Sequence, residues 1–256
     1  MNDEMRNVIC ILILLSAVYA SEQDVTDSSY YLERLVNIQK RITEAILNDV
    51  LLFEKRIKQN LEVRLNDLRI QTLLNVNNII DLTFENINLS IEEGKKEGKK
   101  IDECYDYAKH NLGTKKYNTI AQLEICIQNG NVTMGTPLTK LAKNIKAIQA
   151  LLIELDVIIP NCHSSNFIKM QRCITMNLFM IRSSLKSISN NTKTSVNIVI
   201  IAHTNMIRDV KSSTMKLVVD IRIFSTDIIV RTNSCIRNAS TDNPKSTNNT
   251  KLIAIY

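Results

Sequence analysis

The chain has 256 residues, of which 45% are hydrophobic, and a formal net charge of +6, values typical of an ordinary folded protein. It contains only five glycines, three prolines and no tryptophan, too few turn residues for an architecture of strands and turns. We therefore predict an all-α fold. The lysines and arginines are spread along the chain among aspartates and glutamates, without the clustering with aromatic residues that nucleic-acid binding needs, so no nucleic-acid partner is expected.

Residues 1–20 have the features of a cleaved signal peptide. Arg6 lies in a short polar region, an apolar run extends from Val8 to Val18, and Val18 and Ala20 have the small-residue spacing that signal peptidase accepts. The alternatives are a buried hydrophobic segment or an uncleaved anchor, although the run is short for a membrane span. We expect the chain to be secreted and extracellular.

Residues 21–93 contain neither glycine nor proline, and their apolar residues recur in steps of three and four. This periodicity predicts a long N-terminal helical region, with a break near Asp49 or Thr72 as the alternative. The next stretch, EEGKKEGKK, is interrupted by Gly94 and Gly98 and is rich in charge. We predict a charged linker over residues 94–101.

Residues 102–237 are predicted to form a cysteine-bearing helical domain. Two short helices are expected first, turned at Gly113, because glycine commonly closes a helix. After a loop at 130–137, the apolar stripe predicts a helix from Pro137 to Ile158, and Pro160 prevents that helix from continuing.

A further helix is predicted over 195–237, and Asn190 with its neighbour Asn191 is the expected break before it. The β-branched segments VNIVIIA and KLVVDIRIF leave strands as the alternative. The polar tail 238–256 is predicted to be disordered. Together these elements predict an elongated amphipathic helical bundle stapled by disulfides.

Loss of the signal peptide leaves five cysteines, and cysteines normally pair in an oxidising compartment. We predict one disulfide between Cys104 and Cys126 and another between Cys162 and Cys173. The first requires the hairpin at Gly113, since on one straight helix the two residues would lie about 33 Å apart.

Cys235 is then the unpaired cysteine. An odd cysteine in a secreted protein tends to pair between chains, so a homodimer linked through Cys235 is predicted. The alternative is a buried free thiol, because Cys235 falls on the apolar stripe.

Five asparagines fit the acceptor pattern for N-glycosylation, which supports a secretory route. They are Asn88, Asn131, Asn190, Asn238 and Asn248.

The three histidines stand apart from one another and from any nucleophile in the sequence. His203 falls on an apolar stripe, where a core histidine satisfied by one hydrogen bond is the expected role. Cys162 and His163 could supply two metal ligands, but a disulfide is the expected state of Cys162. We therefore predict no catalytic residues, no metal site, no cofactor and no enzymatic activity.

The signal peptide, the long first helix and the placement of five cysteines among amphipathic helices resemble the insect secreted proteins of the TsetseEP domain family. The resemblance covers roughly the second half of the chain, which lacks the acidic Glu-Pro repeats of the tsetse protein that gave the domain its name. It implies an extracellular protein of a gut, salivary or venom secretion with no established catalytic residues.

The predicted function is that of a structural or interaction protein of such a secretion, with an extracellular protein or glycan as partner. The alternative is a carrier of lipid or another apolar ligand, or a helical protein that binds a membrane surface, because amphipathic helices can do either. The sequence does not distinguish an apolar helix face that packs into a closed core from one that binds lipid.

Overall fold

The computed structural model describes residues 28–241, which form three long α-helices. These are α1 (Ser28–Lys96), α2 (Asp102–Cys162) and α3 (Phe167–Asn238). The predicted all-α, disulfide-stapled bundle is confirmed. The predicted signal peptide, residues 242–256 of the tail and the acceptor Asn248 lie outside the described residues.

The helices divide into two compact units. Unit 1 holds the described residues up to Val50 together with Asn144–Asn191, and unit 2 holds Leu51–Lys143 together with the described residues from Thr192. Each unit contains one segment of every helix, so each is a three-helix bundle with its own core.

Polar contacts join α1 to both other helices of unit 1. The Lys40 ammonium of α1 lies 2.5 Å from the Asp156 carboxylate of α2, and Arg182 Nε of α3 donates to Gln39 Oε1 of α1 at 3.1 Å. The hydrogen bond to Asp156, and then its charge, raise the pKa of Lys40. Because both groups of the ion pair are substantially exposed, we expect it to contribute little to stability.

Buried residues in unit 1 recur every seven residues. The buried series are Val36, Thr43 and Val50 in α1, Ile148, Leu155 and Cys162 in α2, and Ile174 and Ile181 in α3. Seven residues over two turns give 3.5 residues per turn, the spacing of a left-handed coiled coil.

Buried residues in unit 2 recur every eleven residues instead. The series are Leu61, Thr72, Thr83 and Gly94 in α1, Ala108, Thr119, Gly130 and Leu141 in α2, and Val210, Ile221 and Thr232 in α3. Eleven residues over three turns give about 3.67 residues per turn, a spacing that favours a right-handed supercoil. The two units therefore pack by different helical repeats.

Unit 2 also brings its helices close at small residues. A Cβ on Gly130 of α2 would lie 3.0 Å from Val210 of α3 and 3.3 Å from Leu65 of α1. A Cβ on Gly94 of α1 would lie 2.8 Å from the Cγ2 atom of Ile236. Both glycines lie in the core of unit 2, where a larger side chain would displace the packed neighbours.

The predicted turn at Gly113 and loop at 130–137 are wrong, because α2 is one helix from Asp102 to Cys162. Gly113 is exposed on that helix, and none of residues 28–241 would lie within 4 Å of an added Cβ. Glycine and proline disfavour a helix interior, but a packed apolar face outweighs this local cost. Pro137 lies inside α2, and Pro160 is followed by two more helical residues.

The predicted linker at 94–101 begins too early, because Gly94 is helical and α1 continues to Lys96. The chain turns at Gly98, whose φ of 71° lies in the left-handed region that glycine adopts readily. Lys99 then forms an isolated antiparallel bridge with Thr241.

The first helix has no break at Asp49 or Thr72, which confirms the prediction of one long element. The third helix has no break at Asn190 either, so the expected start near residue 195 is wrong. Its β-branched segments are helical, and the strand alternative is excluded. Packing of the buried face decides the structure here over intrinsic β preference.

The structure forms one of the two predicted disulfides, Cys162–Cys173, with a Cα–Cα distance of 5.5 Å. The pairing of Cys104 with Cys126 is wrong, since Cys104 pairs with Cys235. A continuous α2 separates Cys104 from Cys126 by about 33 Å at roughly 1.5 Å per residue, too far for a disulfide. Cys126 is the free cysteine among residues 28–241, and Cys235 is not available to link two chains.

Candidate interaction surface

The histidines do not assemble a site in the described part of the chain. His110 and His163 are exposed, and Cys162 is occupied by its disulfide. Within residues 28–241 no group of three or more His, Cys, Asp or Glu side chains is placed to hold a metal ion.

His203 lies on the packed side of α3 and is half-buried. Its Nε2 atom is buried and has no hydrogen-bond partner among the described residues, so the expectation of a satisfied core histidine is not met at this atom. Burial, and secondarily the positive charge of Arg64, lower the pKa of His203. The neutral imidazole is therefore favoured in the folded protein.

A small cleft of about 180 Å³ lies between α2 and α3 in unit 2, next to the free thiol of Cys126. Cys126 is half-buried, and Gly130 of α2 and Met206 of α3 also line the cleft. Sequence reasoning missed this thiol because it assigned Cys126 to a disulfide.

A larger open groove of about 550 Å³ runs along the outer side of α3 in unit 2. All of its lining residues belong to that one helix: Arg208, Lys211, Ser212, Met215, Lys216, Val219, Asp220 and Ile223. We call this surface the α3 groove. It combines three cations with three exposed apolar side chains.

The single carboxylate of the α3 groove is already engaged. Asp220 forms an ion pair with Lys115 of α2, and the Lys115 ammonium also lies 5.4 Å from the centre of the Phe224 ring. Arg208 lies 3.6 Å from the carboxylate of its neighbour Asp209, so the unbalanced positive charge of the groove comes from Lys211 and Lys216. A positive groove with an apolar floor matches a ligand that has acidic groups beside an apolar surface.

The predicted glycan acceptors within the described residues are all exposed on helices. Asn88, Asn131 and Asn190 lie inside helices, and Asn238 is the last residue of α3. Residues 208–223 contain no asparagine, so the α3 groove carries no acceptor of its own.

No helix in the described region combines the length and apolar character needed to cross a bilayer. Comparison of the chain with protein-family models, with curated proteins and with solved structures finds no match.

Proposed function

We propose that the chain is a secreted, non-enzymatic interaction protein that uses the α3 groove to bind an acidic extracellular protein or glycan. The supporting observation is the groove itself, in which Lys211 and Lys216 adjoin exposed Met215 and Val219. Apolar side chains exposed together on a surface commonly mark interaction sites, and neighbouring cations select an acidic partner.

Secretion is part of the same proposal. Two disulfides between helices are compatible with an oxidising compartment, where such bonds persist. The apolar N-terminal sequence and the acceptor asparagines also support a secretory route. The resemblance to TsetseEP domain proteins leads us to propose a gut, salivary or venom secretion as the setting.

The rival proposal is carriage of an apolar ligand in the α3 groove. Its open form argues against this, because ligand sites usually enclose most of a small molecule, whereas here one helix supplies every lining residue. An extended macromolecular surface suits such a groove better than a single lipid.

Native mass spectrometry of the protein purified from its own secretion tests the proposal. We expect a lipid-free species that co-purifies with an acidic protein or glycan, and loss of that partner on Lys211→Glu/Lys216→Glu substitution. The matched control is Lys140→Glu/Lys143→Glu, which reverses two exposed charges on α2. Stoichiometric bound lipid without a macromolecular partner would favour the carrier.

A further inference from the structure

A second exposed apolar surface lies at the start of α3, in unit 1. Ile168 is 74% exposed, Phe179 72%, Met176 61% and Met180 60%. We call these four residues the outer patch. It contributes to neither core cluster, so its exposure is not explained by folding of the bundle.

Helical spacing places the outer patch on the side of α3 that faces away from the core. Met170, Ile174 and Leu178 turn inward and are buried. Met176 lies about two turns after Ile168, and Met180 about one turn after Met176, so these side chains line one exposed face. The patch spans about 18 Å along the helix at roughly 1.5 Å per residue.

Positive charge accompanies the outer patch, and α3 supplies no acid there. Residues 167–191 contain four lysines and arginines and neither aspartate nor glutamate. Lys169 and Arg172 lie between the apolar residues, and both are exposed. Within the described residues neither forms an ion pair, so their charges remain available to a ligand.

Two local contacts fix the start of α3. The Asn166 side-chain oxygen accepts a hydrogen bond from the backbone N–H of Lys169 at 3.1 Å, an arrangement that caps the helix. The Cys162–Cys173 disulfide ties the first turns of α3 to the end of α2. The outer patch is therefore presented on a pre-formed helix, and binding need not order it first.

We infer that the outer patch, with Lys169 and Arg172, binds the surface of an anionic phospholipid membrane. Phe179 and the two methionines protrude from the outer side of a helix and can enter the boundary between headgroups and acyl chains. The two cations lie beside them, where they meet negative headgroups. The absence of acidic residues from this stretch of α3 favours an anionic lipid surface over a zwitterionic one.

Vesicle flotation tests this inference with the whole mature chain. Vesicles of phosphatidylcholine with phosphatidylserine are expected to carry the protein, and pure phosphatidylcholine vesicles to carry much less. Phe179→Ser/Met180→Ser should reduce the bound fraction at least about tenfold, since two large apolar groups leave the interface. Lys169→Gln/Arg172→Gln should reduce binding by about tenfold or more and weaken its dependence on salt.

Matched variants on unit 2 serve as controls. Leu74→Ser/Leu82→Ser removes two similarly exposed apolar side chains from α1, and Lys140→Gln/Lys143→Gln removes two exposed charges from α2. Both should bind vesicles as the parent protein does, with unchanged helical circular dichroism in all four variants. Failure of the parent to float, or equal loss in the controls, would contradict the inference. The proposed function would be unaffected, because it depends on the separate α3 groove.

Discussion

Unit 1 and unit 2 are built from the same three helices but packed by different rules. In unit 1 the buried residues recur every seven residues, and the disulfide joins cysteines only 11 residues apart in sequence. In unit 2 the buried residues recur every eleven residues and include glycine and threonine, and the disulfide joins cysteines 131 residues apart. The difference shows that one continuous helix can serve two kinds of core when its apolar period changes along its length.

The disulfides give the largest expected difference between the units. A cross-link restricts the unfolded chain more when it closes a longer loop, by roughly 5 kcal/mol for Cys104–Cys235 and roughly 3 kcal/mol for Cys162–Cys173. In denaturant unfolding, Cys104→Ala/Cys235→Ala should therefore lose more free energy of unfolding than Cys162→Ala/Cys173→Ala. Equal losses in the two double variants would remove this distinction between the units.

Glycine substitutions sharpen the account of unit 2, and their effects should have opposite signs. Gly113→Ala should raise the free energy of unfolding by about 1 kcal/mol, because the site is helical and open. Gly94→Ala should lower it by about 1–3 kcal/mol, because the new methyl would contact Ile236. Thermal unfolding measures both. Destabilisation by Gly113→Ala would instead support the hairpin at Gly113.

The polar core of unit 2 offers a smaller effect. Thr232 is fully buried, and its hydroxyl has no hydrogen-bond partner in the part of the chain that the structure describes. The Thr83 hydroxyl, by contrast, donates to the Ile79 carbonyl at 2.6 Å. Thr232→Val should stabilise the protein by about 1 kcal/mol, since an unsatisfied polar group is removed at nearly constant shape. Thr83→Val should give little or no gain. A stabilisation of the same size in both variants would show that hydrogen bonding does not distinguish them.

The smallest effect concerns pH. The folded protein holds the pKa of His203 below its ordinary value near 6.5, so the unfolded chain binds the proton first as pH falls. The stabilising contribution of neutral His203 is fully present above pH 6.5. It is lost as the pH falls from 6.5 through the lowered pKa of His203 in the folded protein. His203→Gln should flatten this part of the stability profile, whereas His110→Gln, at an exposed site, should leave it unchanged.

Local patterns in the sequence predict the helices and the short-range disulfide. The all-α class follows from apolar periodicity and scarce turn residues, and Cys162 and Cys173 flank a short segment that folds back. Cys104 and Cys235 meet only because the third helix returns beside the start of the second, a relation that no local pattern contains. The free thiol of Cys126 was missed for the same reason.

In α2 the apolar period outweighs the local effects of glycine and proline, which is why the predicted turn at Gly113 and loop at 130–137 are wrong. Leu112, Leu123 and Met134 are fully buried at intervals of eleven, and this series runs through Gly113 and Gly130 without a change of phase. Following that interval would have predicted one helix. The interval of eleven does not predict the α3 groove or the outer patch. Whether an apolar residue on a helix is exposed can be inferred only once the packed face of that helix is known.

Non-reducing peptide mapping tests most directly whether α2 is one helix whose start is tied to the end of α3. Alkylation before reduction should label Cys126, and the unreduced digest should contain Cys104 joined to Cys235 beside Cys162 joined to Cys173. A peptide joining Cys104 to Cys126 would contradict the account, because these residues cannot meet on an unbroken helix.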